Sequence, residues 1–517
     1  MNLKDALDRT VRCYPDQPAL VTDDGRSFTY SELDERATRL ANALAERVGT
    51  DRCATLSVNT VAAIESMFAG NKRGAGTVQL SYRATVEELA KMAETAEATA
   101  VIFDDHNADA ALQLLDRDVF EVAIHAGDRE IDRDGVESYE AVLDGADPEL
   151  EPTLPAGDEC AVLYTSGTTS VPKAVPFDQE QLGYGAIQGV MEHGIDETDT
   201  ALCTSPWYHM VTTDAWLYPH FVAGATVVLH STFEPEEALE LIAEHDVTGL
   251  LGVPTQLKAL NGVQKEVETP YDTDSLQYIR TGGAIVTEDL VEETHEYLSE
   301  QVYNTYGMTE AGPDLTFAHP NAQEDHPGTI GKEAFSWEIR VVESPGLSEN
   351  PDPENTVDAG ERGEIIARGP GMSTGYIDND EAEAKSYFDG WLRTRDVARI
   401  DEEGYLYIVD RVDNMIVSGG ENIYPAAVER VLGNHPDVDE ACVFGRDDEE
   451  WGQVVTAVVV REEGAELTDE DLDAYCLQHD GLADFKRPRA YAITDEALPR
   501  SDTGTVLRER LVQEYFS

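Results

Sequence analysis

The segment AVLYTSGTTSVPKAV (161–175) joins an apolar, strand-like run to small hydroxylated residues, one glycine, a proline and a lysine. Backbone N–H groups in such a turn can point at an anion, the hydroxyls of Thr165, Ser166, Thr168 and Thr169 add donors, and Lys173 adds charge. The G-x-x-x-x-G-K-[ST] pattern is absent, so this phosphate loop is not that of the P-loop nucleotidases. A second cluster, DFKRPR (484–489), puts three basic residues within four positions. A third candidate is His209, alone between aromatic and apolar neighbours in PWYHMV (206–211).

The basic residues stand out because the chain has so few. Its 517 residues carry 103 Asp+Glu against 37 Lys+Arg, a formal net charge of −66. Phosphate backbones are bound through dense Lys and Arg, so a nucleic-acid partner is excluded, and so is docking on anionic membrane through a basic patch. The acids are spread along the whole chain, and 41% hydrophobic residues set it apart from a disordered acidic tail. A folded protein with a carboxylate-coated surface resembles proteins of salt-loving organisms. The length predicts several compact parts. MNLKDALDRT has no apolar run after a basic start, so no signal peptide is expected, and no stretch approaches a membrane span of roughly 18 residues. Six cysteines stand singly, without metal or redox spacing. The cytoplasm is the expected location.

Short apolar runs alternate with helical patterns: strands at 54–58, 77–81 and 98–103, helices at 61–70 and 85–94. That alternation predicts an α/β fold with mostly parallel sheet. Ser31 with Asp34 reads as a capping box opening a helix. A Pro/Gly/acid-rich stretch at 344–363 reads as a surface loop, either a linker or a connection between strands that pair across it. The last hundred residues read as a compact α+β module.

TSGTTSVPK resembles the phosphate loop of the AMP-forming acyl/aryl-CoA synthetase, adenylation-domain and luciferase superfamily. Six further segments resemble that family's signatures in its order. They are PWYH (206–209), TGGA (281–284), YNTYGMTE (303–310), GWLRTRD (390–396), DRVDNMIVSGGENIYP (410–425) and LPRSDTG (498–504). The flavour, above all from 410 onward, is that of 4-chlorobenzoate- and benzoate-type CoA ligases.

The resemblance implies a large multi-subdomain N-terminal adenylate-forming domain, 1–412, and a small C-terminal lid, 413–517, rotating about Asp413. It implies that ATP, Mg²⁺ and coenzyme A are used to turn a carboxylic acid into an acyl-CoA. Thr165, Ser166, Gly167, Thr168, Thr169 and Lys173 would cradle the β/γ-phosphates. Thr309 would touch the α-phosphate, and Glu310 would hold the metal. Tyr306 would face adenine, with backbone at Gly282 and Gly283 close by, while Asp396 and Arg411 would meet the ribose. His209 would lie where the acid pocket meets the thiol tunnel. Ala186, Met210, Val211, Leu251, Thr305, Gly307, Gly312 and Pro313 would line the pocket. With no Lys or Arg among these, a neutral aromatic or medium-chain acid is expected. Phe485, Arg487 and Arg489, with Arg83 and Trp451, would contact the CoA nucleotide, and Gly419 and Gly420 would let the pantetheine arm pass.

Four departures from the family pattern are mild: Ser170 and Ala174 for loop glycines, Arg395 before the ribose aspartate, and Asp410 at the hinge motif. The fifth is Thr505, which stands where the family's C-terminal motif has its catalytic lysine. Losing a charge-assisted donor at a developing charge typically costs roughly 10²–10³ in rate. Two alternatives therefore stay open: an adenylating enzyme that loads a carrier protein, and a chain slowed in adenylation or reduced to binding the acyl-adenylate. A monomer or homodimer is expected.

Overall fold

The computed structural model describes residues 2–149, 158–165, 172–312, 314–347, 349–419, 421–448, 451–462, 464–479, 482–500 and 506–516. They form two compact units, Met1–Glu338 with Ala367–Leu392, and Ile339–Ile366 with Arg393–Ser517.

The first unit holds two sheets. One runs Val136–Ser138, Val122–Ala126, Ala98–Asp104, Arg52–Leu56, Thr77–Gln79, Glu159–Thr165, Lys173–Asp178. Its strands are parallel except for the last pair, an antiparallel hairpin. The other runs Lys332–Glu333, Thr316–Ala318, Val302–Tyr306, Tyr278–Gly282, Gly249–Leu251, Thr200–Cys203, Thr226–Leu229, Pro18–Thr22, Ser27–Thr29, and is parallel from Val302–Tyr306 through Pro18–Thr22. A parallel sheet is covered on both faces, so its strands must be apolar throughout rather than alternating. Ala98–Asp104 meets this, buried at every position but Thr99. Trp207, Trp216, Tyr218 and Phe221 are fully buried and fill the interior with large rings.

The α/β alternation read from the sequence is present, with helices Val61–Arg73 and Val86–Thr95 near their expected places. The capping box is corrected. Thr29 caps helix Tyr30–Val48, its hydroxyl accepting from Glu32 N–H while Glu32 reaches back to Thr29 N–H, so the box is Thr29/Glu32 and not Ser31/Asp34. Tyr30 is buried and its hydroxyl donates to the Ala225 carbonyl, and the helix starts two residues earlier than a Ser31 cap would have it.

In the second unit, residues 396–400 of strand Trp391–Ile400 pair antiparallel with Leu406–Arg411. The strands on either side of the 344–363 loop, Glu338–Val342 and Arg362–Arg368, are neighbours in a sheet, so the loop connects paired strands. A further sheet orders Glu421–Ile423, Ile416–Ser418, Gly452–Arg461 and Val438–Asp448, with Ala490–Thr494 parallel to Gly452–Arg461. Helices Pro425–Gly433 and Asp469–Gln478 cover it, burying Val428, Leu432 and Leu472 against Val443, Val455 and Val459. Among the described residues, no helix is long and apolar enough to cross a membrane.

Candidate active site

In the hairpin of the first unit, Thr165 and Lys173 are direct cross-strand partners. That register brings a threonine and a lysine side by side at the two ends of the intervening segment. Ser166, Gly167, Thr168 and Thr169 fall outside the described residues, as do Ser170, Pro313, Gly420 and Thr505. The Lys173 ammonium lies 4.7 Å from the centroid of the Tyr376 ring, within cation–π range. The Tyr376 hydroxyl donates to Glu310 Oε1 at 2.6 Å, and its oxygen lies 3.2 Å from Ser386 Oγ, whose hydroxyl can donate to it. Burial, and then the Glu310 carboxylate, push the Tyr376 phenol well above its ordinary range, so it stays a donor.

Glu310 sits on a short turn, Thr309–Ala311, after strand Val302–Tyr306, and is buried. Its backbone carbonyl accepts from Ser373 N–H at 2.9 Å. Among the described residues no three His, Cys, Asp or Glu side chains gather into a metal cage. Mg²⁺ is commonly held by one or two carboxylates plus substrate phosphates, so a single buried, hydrogen-bonded carboxylate beside the Lys173 hairpin fits it.

Strand Tyr278–Gly282 lies parallel to Val302–Tyr306 and pairs Gly282 with Thr305. At Gly282, φ is +155° and a Cβ would stand 2.3 Å from the Thr305 carbonyl oxygen, so only glycine fits. Gly283 has φ +76° with open space around it. Tyr306 continues the strand, and its carbonyl accepts from Leu315 N–H.

The residues expected to line an acid pocket come from four elements. Ala186 is on helix Gln179–His193, Met210 and Val211 follow His209, Leu251 ends strand Gly249–Leu251, and Thr305, Gly307 and Gly312 belong to the Glu310 segment. Gly312 has φ +34°, and a Cβ there would lie 2.7 Å from the Phe177 ring. Burial, and then the charge of Arg83, hold the His209 imidazole down to about 4, so it is neutral at pH 7. The Tyr208 ring lies tilted against it with centroids 4.3 Å apart, and the Arg83 guanidinium lies 5.6 Å from the ring of Tyr82, itself edge-on to Tyr208.

One cation in this region was invisible in the pocket motifs. Arg280 is fully buried; it donates through Nε to Thr305 Oγ1 at 3.2 Å and through Nη1 to the Ala215 carbonyl. Its Nη2 meets both Asp314 oxygens at 2.6 and 2.7 Å. The carboxylate consumes the charge, so the guanidinium braces Thr305 rather than offering a site for a second substrate carboxylate.

In the second unit, Asp396 and Arg411 are cross-strand partners, with Nη1 to Oδ1 at 3.3 Å. Arg395, at φ +62°, donates to Asp413 Oδ1 at 2.8 Å, and Arg411 approaches Asp413 Oδ2 at 3.5 Å. Asp413 is thus held by two arginines. Gly419 has φ +60°, donates to the Trp451 carbonyl at 2.9 Å, and would meet the indole at 2.9 Å if it bore a Cβ. Trp451 and Phe485 are exposed, 52% and 42%. Arg487 pairs with Asp473 and, through Nε at 3.1 Å, with Asp484; Arg489 reaches the Asp484 carbonyl at 3.2 Å. The basic cluster therefore carries its own counter-charges.

Tyr376, Ser386 and Arg280 were missed from sequence. Arg280 stands one residue before TGGA, a proximity that could have marked it; Tyr376 in GYIDND had no comparable signal.

Residues 7–377 match the model of the AMP-binding enzyme family, and residues 427–505 that of the AMP-binding enzyme C-terminal domain. A feruloyl-CoA synthase of Amycolatopsis sp is 34% identical over 507 residues, 97% of this chain and 96% of the relative. An indoleacetate–CoA ligase of Aromatoleum aromaticum is 33% identical over 524 residues, 99% of this chain and 98% of the relative. The crystal structure of ATP-bound MatB from Rhodopseudomonas palustris superposes with a TM-score of 0.86 at 27% identity, covering 100% of this chain and 99% of that one.

Proposed function

The chain belongs to the AMP-binding enzyme family, and we propose that it is an ATP-dependent ligase joining a neutral aromatic or medium-chain carboxylic acid to coenzyme A. The observation that carries this reading is the Lys173–Tyr376–Glu310 cluster at the foot of the hairpin loop, which joins a cation and a buried carboxylate where a triphosphate and its metal are expected. The aryl preference draws support from two relatives named for aryl acids, and a benzoate-type flavour is part of the same proposal.

A carboxylate oxygen attacks the α-phosphorus of ATP, and pyrophosphate leaves as the acyl-adenylate forms. The thiol sulfur of CoA then attacks the acyl carbon, its proton goes to solvent, and AMP leaves. Catalysis in such a reaction is largely positioning and charge neutralisation. Lys173 and the hydroxyls and amides of 165–169 bind the outgoing phosphates. Thr309 meets the α-phosphate. Tyr306, Gly282 and Gly283 receive the adenine, and Asp396 with Arg411 the ribose. Glu310 would hold Mg²⁺, which would supply positive charge against the phosphates. His209, neutral at pH 7, borders the acid without adding charge to its pocket. Ala186, Met210, Val211, Leu251, Thr305, Gly307, Gly312 and Pro313 surround the acyl group.

In the second half-reaction we assign CoA to Arg83, Trp451, Phe485, Arg487 and Arg489, with Gly419 and Gly420 beside the pantetheine arm. For CoA to use Arg487 and Arg489, its phosphates must displace Asp473 and Asp484. A rotation about Asp413, with 1–412 and 413–517 as the moving parts, would separate the two half-reactions. Thr505 favours the second reading, a ligase slow in its first half-reaction, because a threonine cannot supply the missing cation. The carboxylate coat favours a halophilic, cytoplasmic setting. Incubating the protein with ATP, Mg²⁺, CoA and a panel of benzoates, cinnamates and medium-chain fatty acids in molar KCl tests the reading. AMP release that needs one acid class supports it, and AMP release with none of them overturns it.

A further inference from the structure

Arg395 and Asp410 depart from the family pattern and take no part in the chemistry above, yet both make their contacts at the short turn Val412–Asn414. Arg395 Nη1 donates to Asp413 Oδ1 at 2.8 Å, and both side chains are mostly buried. Asp410 is buried too. Its Oδ1 accepts from Asn414 Nδ2 at 3.1 Å and from Arg411 N–H at 2.7 Å, and its Oδ2 accepts from Ala426 N–H at 2.8 Å. Ala426 stands in the first turn of helix Pro425–Gly433, which covers the C-terminal sheet. Asp410 thus ties the turn to that helix, and Arg395 ties it to strand Trp391–Ile400.

Holding Arg395 in this place has two costs. Its φ of +62° lies in the left-handed region, which a long side chain rarely adopts, and its Nε is buried with no hydrogen-bond partner among the described residues. Backbone strain persists only where the surroundings over-determine it, and it clusters at clamps and switch regions. What the strained backbone gains here is a guanidinium on Asp413. Arg411 is a weaker partner for that carboxylate. Its Nη2 stands 3.5 Å from Asp413 Oδ2 while its Nη1 lies 3.3 Å from Asp396 Oδ1, so its charge is divided between the turn and the expected ribose carboxylate. A rotation about the N–Cα bond of Asp413 would carry the carboxylate off Arg395. Salt does little to loosen such a contact: the Debye length at 1 M is still about 3 Å, and buried pairs are screened far less than exposed ones.

We propose that Arg395 is a positioning residue for the hinge: through its ion pair with Asp413 it holds the turn 412–414 against the strand that carries Asp396, and each turn of the lid must first break that pair. The inference rests on the two-step ligase reading above, in which the lid rotates about Asp413. Hinges work by letting a few residues absorb a large change in φ and ψ, so a side chain that fixes one of those residues sets how readily the lid moves. Arg395 touches neither substrate nor cofactor in this account and acts only through Asp413.

The test is amide hydrogen exchange on the full chain in molar KCl, in the wild type and in Arg395→Gln, Arg395→Gly and Arg395→Lys. The reporter is the Met415 amide, which donates to the Val412 carbonyl at 3.3 Å across the turn. Arg395→Gln should speed its exchange about tenfold, the effect of losing one hydrogen bond between charged groups. Arg395→Gly, which also relieves the left-handed backbone, should free the turn as much without unsettling the fold. Arg395→Lys keeps the charge and should stay close to the wild type. Strand Gly452–Arg461 should exchange at the wild-type rate in all three. Wild-type exchange at Met415 in both Arg395→Gln and Arg395→Gly overturns the proposal. So does an acceleration that spreads equally over Gly452–Arg461, which would make Arg395 a general brace, and so does a lysine variant as fast as the glutamine one. The measurement needs no substrate, so it is independent of the acid panel: a freed turn in a protein that releases no AMP strikes the ligase reading and supports the contact between Arg395 and Asp413 as the restraint on this turn.

Discussion

The Tyr376 hydroxyl donates to Glu310 Oε1 at 2.6 Å while the same ring carries the Lys173 ammonium 4.7 Å from its centroid. One side chain thus ties together a carboxylate and a cation that lie 137 positions apart in the chain. Tyr376→Phe keeps the ring and removes the donor. A hydrogen bond to a charged group contributes about 1.5–3 kcal/mol, so the KM for Mg·ATP should rise about tenfold to a hundredfold. Pyrophosphate exchange measured against Mg²⁺ concentration reads this directly. Transfer from a supplied acyl-adenylate to CoA should change far less, and equal losses in both assays would remove the positioning role.

Gly282 and Gly283 separate backbone strain from steric clash. At Gly282 a Cβ strikes the Thr305 carbonyl at 2.3 Å, whereas at Gly283 the space is open and only the φ of +76° resists. Gly282→Ala should cost on the order of 2–4 kcal/mol and Gly283→Ala about 1 kcal/mol, read from urea midpoints. The reverse order would mean that the strands adjust around Gly282.

Two imidazoles should stay neutral well into acid. Burial holds His209 and His220 down to about 4, against an ordinary 6.5. Their folded values lie below the unfolded one, so their share of stability is full above pH 6.5. It is lost as pH falls toward 4, at up to about 1.4 kcal/mol per pH unit for each group. Asp214, raised by burial, acts in the opposite sense over the same window, so the global unfolding curve mixes the two. Residue-resolved NMR titration separates them. Both rings neutral at pH 5.5 is the expected result, and an ordinary midpoint for either would show that water reaches it.

Self-repulsion at a net charge of −66 is the largest long-range term acting on the folded chain. At 1 M salt the Debye length is about 3 Å, against about 30 Å at 0.01 M, so molar KCl removes most of the repulsion. Thermal midpoints should climb steadily with KCl, and dialysis into dilute buffer should melt the protein. Midpoints indifferent to salt would argue against a halophilic setting.

The strand leading into Thr165 was legible from its apolar run, whereas its antiparallel pairing with Lys173–Asp178 was not, because the sequence was read as far as Lys173 without a second strand. The helix beginning at Tyr30 was legible too, but its cap was not. Thr29/Glu32 and Ser31/Asp34 both place a hydroxyl three residues before an acid, and only the buried Tyr30 ring decides between them. Tyr376, Arg280 and Asp214 were out of reach for a different reason. The first two act through partners brought by the fold, Glu310 and Lys173 for Tyr376 and Thr305 and Asp314 for Arg280, whereas Asp214 is set apart by the lack of any hydrogen-bond partner among the described residues. The counter-charges of Arg487 divide the same way. Asp484 stands three residues before it, whereas Asp473 is fourteen before it and reaches it through the packing of helix Asp469–Gln478.

The central claim is that one chain makes an acyl-CoA through an acyl-adenylate, and product analysis tests it most directly. The protein in molar KCl, given ATP, Mg²⁺, CoA and an aryl acid labelled with ¹⁸O in its carboxylate, should yield acyl-CoA and AMP in equal amounts, with one ¹⁸O carried into the AMP phosphate. Formation of ADP, or AMP without the label, would contradict it.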